Sequence, residues 1–280
     1  MSEYQYYEFL AVDRPLDAGE QAEVRTLSTR ARISATSFTN EYEWGDFKGD
    51  PGRMMERYYD AHLYLANWGT HRIMFRLPGT LLDPDIARQY RVGELVSSWT
   101  AGDHVILEFT SEDESGEWDE HLEVPLSAVV GIRAELAAGD LRSLYLAWLS
   151  AYGSWERDEE AFGYEAEDVL EPPVPAGLGT LTAPQRALAD FLRLDSDLLA
   201  VAADGCAELR AVQDDPGELA AWVVGLDGEE KDRLLLRVVR DQAAQVRAEM
   251  LRRFRGVGKG RPRRTVAELL DGAAERRQGA

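Results

Sequence analysis

The sequence predicts an α+β protein: an N-terminal mixed or antiparallel sheet domain with flanking helices, followed by an all-helical C-terminal domain. Three observations carry this. Period-two patterning rich in aromatic and branched residues recurs up to about residue 125 and not beyond it. From Thr182 onward the apolar residues have helical spacing, and most of the stretches open on a Thr or Asp. Between the two regions lies an acidic stretch that ends in Glu171-Pro172-Pro173-Val174-Pro175. A chain of 280 residues exceeds the usual size of a single core. The expected organisation is a sheet domain with packing helices over 1–155, an acidic, Pro-containing linker over 156–180, a helical domain over 181–256, and a basic tail with a short terminal helix over 257–280.

Tyr4 to Val12 reads as a strand that ends in the turn Asp13-Arg14-Pro15. Asp17 and Glu20 are spaced as a capping box for a helix carrying Ala22, Val24 and Leu27. In Ile33 to Trp44, Phe38, Asn40, Tyr42 and Trp44 share one face and Thr39, Glu41 and Glu43 the other, the pattern of a half-buried strand. Pro51 to Asp60 reads as a short helix. His62 to Trp68 and His71 to Leu77 read as a hairpin about Asn67-Trp68-Gly69-Thr70. A short helix at Pro84 to Tyr90 precedes a second hairpin, Leu95 to Thr100 with His104 to Thr110, and Ser111 to Glu120 reads as an acidic loop. Ala128 to Leu149 has helical spacing, divided at Gly139. In the C-terminal half, Thr182, Asp195, Asp215 and Asp227 are placed to cap successive helices. The last of these carries one apolar stripe from Leu234 through Leu235, Val238, Val239, Ala243, Val246 and Met250 to Phe254. Thr265-Val266-Ala267-Glu268 is a capping box for a final helix.

Three stretches, Tyr7-Glu8-Phe9-Leu10-Ala11-Val12-Asp13-Arg14-Pro15-Leu16, Asn40-Glu41-Tyr42-Glu43-Trp44-Gly45-Asp46-Phe47 and Pro172-Pro173-Val174-Pro175, resemble an uncharacterised family of bacterial, largely actinobacterial, proteins. The resemblance covers most of the chain. It implies a bacterial origin and transfers no catalytic residue or activity. In that family a segment like Arg264-Thr265-Val266-Ala267-Glu268-Leu269-Leu270 leads into a long charged helix, whereas this chain stops at Ala280, as a short or trimmed member would.

Charge is sorted along the chain. Residues 101–250 hold 33 Asp and Glu against 11 Lys and Arg, a net of −22, while Leu251 to Ala280 carries nine basic and three acidic residues, a net of +6, within a total of −20. Single-sign fields select and steer partners, so the asymmetry favours binding over catalysis. The candidate anion or partner contact is the set Arg252, Arg253, Arg255, Lys259, Arg261, Arg263 and Arg264. Cys206 is the only cysteine, which excludes an internal disulfide and fits a reducing cytosol. The N-terminus lacks a signal-peptide pattern, and the longest apolar runs are too short to span a bilayer. The expected location is cytoplasmic, with no membrane contact and no cofactor.

Catalytic constellations are weak. Asp119, His121 and Glu123 would share one face of a strand beside Glu117 and Glu120, as metal ligands must, yet no second histidine is spaced to help, and carboxylates at a hairpin end are usually a solvated rim. No G-x-S-x-G elbow exists, and Gly256-Val257-Gly258-Lys259-Gly260 lacks the phosphate-loop spacing. His62 and His71 flank Tyr64, Trp68 and Arg72 across the hairpin, an arrangement that could make a patch suited to phosphate or an acidic peptide, although a satisfied sheet histidine is the commoner case. The sequence therefore favours a non-catalytic protein–protein interaction module or subunit of a cytosolic bacterial complex. A nucleic-acid-associated protein using the Arg-rich tail is the alternative, and a metal-dependent enzyme at the acidic hairpin the second alternative.

Overall fold

The computed structural model describes residues 4–113, 124–153, 168–204, 206–208, 216–255 and 262–279. Seven strands form one sheet in the order β2-β3-β1-β4-β5-β7-β6, and every pairing is antiparallel. The strands are β1 (Gln5–Leu10), β2 (Arg32–Ile33), β3 (Ser37–Tyr42), β4 (Ala61–Ala66), β5 (His71–Pro78), β6 (Val96–Ala101) and β7 (His104–Ser111). The expected α+β class is thus found, with an antiparallel sheet preceding a helical region. The alternating stretch from Ile33 to Trp44 divides into β2 and β3 at the turn Ser34 to Ser37, where Ser34 and Ser37 close a local backbone bond.

Alternation gives the sheet two faces, and each has its own core. Tyr7, Phe9, Phe38, Tyr42, Tyr64 and Met74 point to one side. There they meet Val24 of α1 (Ala18–Leu27) and Met54 and Met55 of α2 (Pro51–Arg57). Most of the aromatic endowment is therefore core: Phe9 packs edge-on to Phe38 at 5.5 Å and Tyr7 against Tyr64 at 4.7 Å. Full burial of each such ring stabilises by about 1.5–3 kcal/mol. The other face presents Leu63, Ile73, Phe75, Leu107 and Phe109 to helices that follow the sheet in sequence. These are α4 (Leu126–Val129), α5 (Ile132–Ala137), α6 (Arg142–Gly153), α7 (Ala183–Phe191) and α8 (Ser196–Ala203). One apolar cluster runs from this face through α6 and α7 to Val266, Leu269 and Ala273 of the last helix. The short α3 (Pro84–Arg88) lies against β6.

Local chemistry sets the helix starts. Asp17 and Glu20 form the expected capping box. Thr182 with Gln185 caps α7, and Asp195 accepts from the backbone of Asp197 and Leu198 at α8. Such caps each contribute about 1 kcal/mol. The expected linker is packed where it is described: Ala176 and Leu178 are buried, Val174 lies against the large core, and the Arg142 guanidinium donates to the carbonyls of Gly177 (3.1 Å) and Thr180 (2.8 Å).

The main departure lies in the helical half. The single long helix expected from Gly228 to Phe254 is two helices, α10 (Gly228–Arg237) and α11 (Ala243–Arg255), preceded by α9 (Pro216–Val224). The break falls in Val238–Gln242, where Arg240 (φ −91°, ψ 30°) and Asp241 (φ 61°, ψ 23°) leave helical geometry. Asp is among the few L-residues that tolerate the left-handed region. Ion pairs from Arg253 to Glu230 (2.7 Å) and from Arg237 to Glu249 (2.6 Å) join the start of α10 to the end of α11 and its end to the middle, so the two helices run antiparallel. The last helix, α12 (Val266–Gly279), begins at the expected capping box of Thr265 and Glu268. Among the described residues, no helix is long and apolar enough to cross a membrane.

Candidate functional site

The tail cations are dispersed in the fold. Arg264 turns inward: its Nε and Nη2 meet the two oxygens of Glu171 at 3.0 and 3.1 Å, its backbone N–H donates to Oε1 at 2.9 Å, and its Nη1 reaches the Val201 carbonyl at 2.7 Å. Tyr145 completes the shell of the fully buried Glu171 with a 2.9 Å bond. The arginine and these donors hold the Glu171 carboxyl below its ordinary range against the opposing effect of burial. Arg263 donates to the Glu171 carbonyl from an exposed position. Arg252 lies among Glu249, Asp83 and Tyr90, where burial lowers its proton affinity. Arg253 stands 5.9 Å from the Trp222 ring while paired with Glu230. Arg255 belongs to α11, although its side chain is not among those described; Lys259 and Arg261 lie outside the described residues, as do Glu117 to Glu123 of the acidic hairpin. Among the described residues, no group of three or more His, Cys, Asp or Glu is arranged to hold a metal.

The break at Asp241 creates a feature that the one-helix reading hid. Leu234, Val246, Leu251 and Phe254 close the α10–α11 hairpin from within. Their neighbours face outward: Leu235 is 61 % exposed, Leu236 56 % and Val239 80 %, with Val238 beside them and Val224 of α9 at 75 %. Nine large apolar side chains stand exposed among the described residues, and these five fall within sixteen positions. Scattered apolar residues are ordinary on a surface; a cluster marks a contact face.

The two histidines are the satisfied sheet histidines that the sequence favours, and no histidine patch forms. Tyr64 pairs with Arg72 and His62 with Met74, so His71, three positions from Met74, points to the opposite face from His62. His62 stacks on Phe9 at 3.9 Å and donates Nδ1–H to the Glu8 carbonyl at 2.9 Å. His71 donates Nδ1–H to the Phe191 carbonyl at 2.8 Å. Burial lowers the two imidazoles to about 3 and about 4. Both are neutral core residues and not ligands.

Tyr64, Trp68 and Arg72 do converge, at the meeting of two open clefts of ≈ 330 and ≈ 380 Å³ that share Arg72 and Glu112. Phe47 of the loop before α2 and Pro51, the first residue of α2, wall the first; Ser97, Glu108, Thr110 and Arg91 wall the second. The guanidinium of Arg72 lies 5.8 Å from the Tyr64 ring centroid. Its Nε is 3.0 Å from Glu108 Oε1, an ion-pair contact without the alignment of a hydrogen bond. Burial raises the Glu108 carboxyl although Arg72 and the Ser97 hydroxyl pull it down. Glu108 was not singled out from the sequence; its place diagonally across from Arg72 depends on β5 and β7 pairing, which joins strands separated by a helix and a third strand.

Comparison of the chain with protein-family models, curated proteins and solved structures yields no match.

Proposed function

We propose that the chain is a protein-interaction module, and that its docking face is the outward side of α9 and α10 with the turn that follows. The clustering of Val224, Leu235, Leu236, Val238 and Val239 in solvent carries this reading. The face is mixed in charge: residues 216–242, which hold α9, α10 and the turn, carry four Lys and Arg and six Asp and Glu, whereas 243–255 carry four Arg and one Glu. An apolar helix face on the partner complements it, since apolar contact supplies affinity and a mixed-charge rim sets orientation. Residues 243–255 join the hairpin to the rest of the fold, with Ala248 against Gly139 and Arg252 beside Asp83 and Tyr90.

A nucleic-acid reading has less support. It needs the tail arginines as a set, and Arg264 is committed to Glu171. We place the module in the cytoplasm of a bacterial cell, in keeping with the composition.

The test compares the parent with the double variant Leu235→Glu, Val239→Glu as bait in host extract, with light scattering on each. Proteins held by the parent, released by the variant and recovered with a purified candidate support the reading. A dimer of the parent that the variant dissolves would make a second copy the occupant. An identical set of proteins on both baits would contradict it.

A further inference from the structure

We infer that a cleft of ≈ 350 Å³, where β1, β3 and β4 meet the chain just before α4, binds a free primary alkylammonium, with its charged end at Glu8 and its stem along Leu63, Leu65 and Val124. This site is independent of the docking face, since its lining comes from the sheet and from residues before α4.

Strand register places the groups. Tyr6 stands between Glu41 and Leu65, and Glu8 between Thr39 and Leu63, so these six share one side of the sheet. Arg32 pairs with Thr39 and is therefore two strands from Glu8, a distance of about 10 Å across the sheet. It meets Glu41 instead, at 3.2 Å. Among the described residues the Glu8 carboxylate accepts one hydrogen bond, from the Tyr6 hydroxyl at 3.2 Å, and no Lys or Arg pairs with it. A carboxylate has room for further donors, and a primary ammonium brings three. The charge of the cleft has the matching sign. It holds two carboxylates and one arginine, and because Glu41 already answers that arginine, one negative charge is left at Glu8. Burial, and after it the charges of Glu8 and Glu41, raise the Tyr6 phenol above its ordinary range, as a negative site does. The rings of Tyr4 and Tyr6 line the same cleft, and an aromatic face attracts a cation. Beyond this end the lining is apolar: Leu63 and Leu65 form a buried floor, with Val124 and Pro125 as the wall. An alkyl stem fits there, and the wall offers no polar side chain to a peptide backbone, which favours a free amine over a lysine of another protein.

Titration calorimetry on the full chain at pH 7 tests the proposal with four probes: hexylammonium, the neutral hexanol, hexanoate, and Nα-acetyl-lysine methylamide. The proposal expects saturable binding of hexylammonium, with the other three weaker by on the order of tenfold. Glu8→Gln keeps the shape and loses the charge, and should weaken hexylammonium by roughly the same factor while leaving hexanol unchanged, with its fold checked by circular dichroism. Arg32→Gln, at an exposed position, removes the one cation of the cleft and should tighten hexylammonium by about threefold in low salt. Equal binding of hexylammonium and hexanol, tighter binding of hexanoate or of the lysine amide, full affinity in Glu8→Gln, weaker binding by Arg32→Gln, or no saturable binding of hexylammonium would each overturn it. None of these results bears on the α9–α10 face, which the Leu235 and Val239 variants test separately.

Discussion

Glu171 and Arg264, 93 positions apart, form a doubly bonded ion pair in which the carboxylate is fully buried and the arginine backbone also donates to it. Around them the chain pairs with itself: Glu171 N–H reaches the Arg264 carbonyl at 2.8 Å and Val266 N–H the Val169 carbonyl at 2.9 Å. The pair thereby ties the start of α12 to the segment that follows α6. Removal of one partner leaves a buried charge alone, which is worth more than the pair itself contributes. Arg264→Ala should destabilise the protein by about 3 kcal/mol in urea unfolding. The double variant Arg264→Ala, Glu171→Ala should recover part of that loss. A loss below about 0.5 kcal/mol would show the pair to behave as an exposed one.

The pH dependence of stability follows from His62 and His71. Both imidazoles have folded-state values depressed from 6.5, to about 3 and about 4. A depressed histidine contributes stability that is fully present above its unfolded value and is lost as pH falls toward the folded one. The unfolded chain therefore binds up to two more protons than the folded chain at pH between about 6 and 4, and stability should fall there by roughly 1.4 kcal/mol per pH unit for each histidine. Glu171 and Asp60, whose values are lowered, extend the loss below the ordinary carboxylate range, while Glu108, whose value is raised, opposes it. His62→Phe, which keeps the stack on Phe9, should remove about half of the slope between pH 6 and 4. An unchanged slope would place the titration elsewhere.

Asp241 separates the two descriptions of the C-terminal helices by the sign of one substitution. In one continuous helix, Asp241→Ala would stabilise, since Ala is the better helix former. At φ 61° the methyl group meets left-handed strain, so Asp241→Ala should cost about 1 kcal/mol and Asp241→Gly should be neutral or stabilising. Thermal unfolding of the two variants decides.

Gly139 anchors the hairpin to the rest. It has φ 81°, and a Cβ there would stand 2.6 Å from the Ala248 carbonyl oxygen of α11. Gly139→Ala should loosen α10 and α11 while the sheet stays folded, because the clash falls between α5 and α11. Hydrogen exchange should show faster exchange over 228–255 and unchanged protection in β4, β5 and β7. Uniform loss of protection would mean that the hairpin and sheet open as one unit.

Local signals carried most of the fold. Asp17 with Glu20, Thr182, Asp195 and Thr265 with Glu268 begin helices where their side chains predict, since a cap depends on residues three apart. The alternation of Phe38, Asn40 and Tyr42 gave β3 because burial on one face needs no partner identity. What failed was relational. His62 and His71 lie near one turn, yet the register sends them to opposite faces, and only the pairing of Tyr64 with Arg72 fixes that register. The stripe from Leu234 to Phe254 is periodic, but periodicity does not record a single residue in the left-handed region. Arg264 reads as a tail cation until Glu171, far away in sequence, is brought to it.

The central claim is that Val239 and its neighbours face another protein. A photo-crosslinking amino acid placed at Val239 in the native host tests it most directly, with the same group at the exposed Glu275 of α12 as the control. The account predicts a discrete crosslinked species from position 239, absent from position 275 and lost when Leu235→Glu is added. No species at 239, or the same species at both positions, would contradict it.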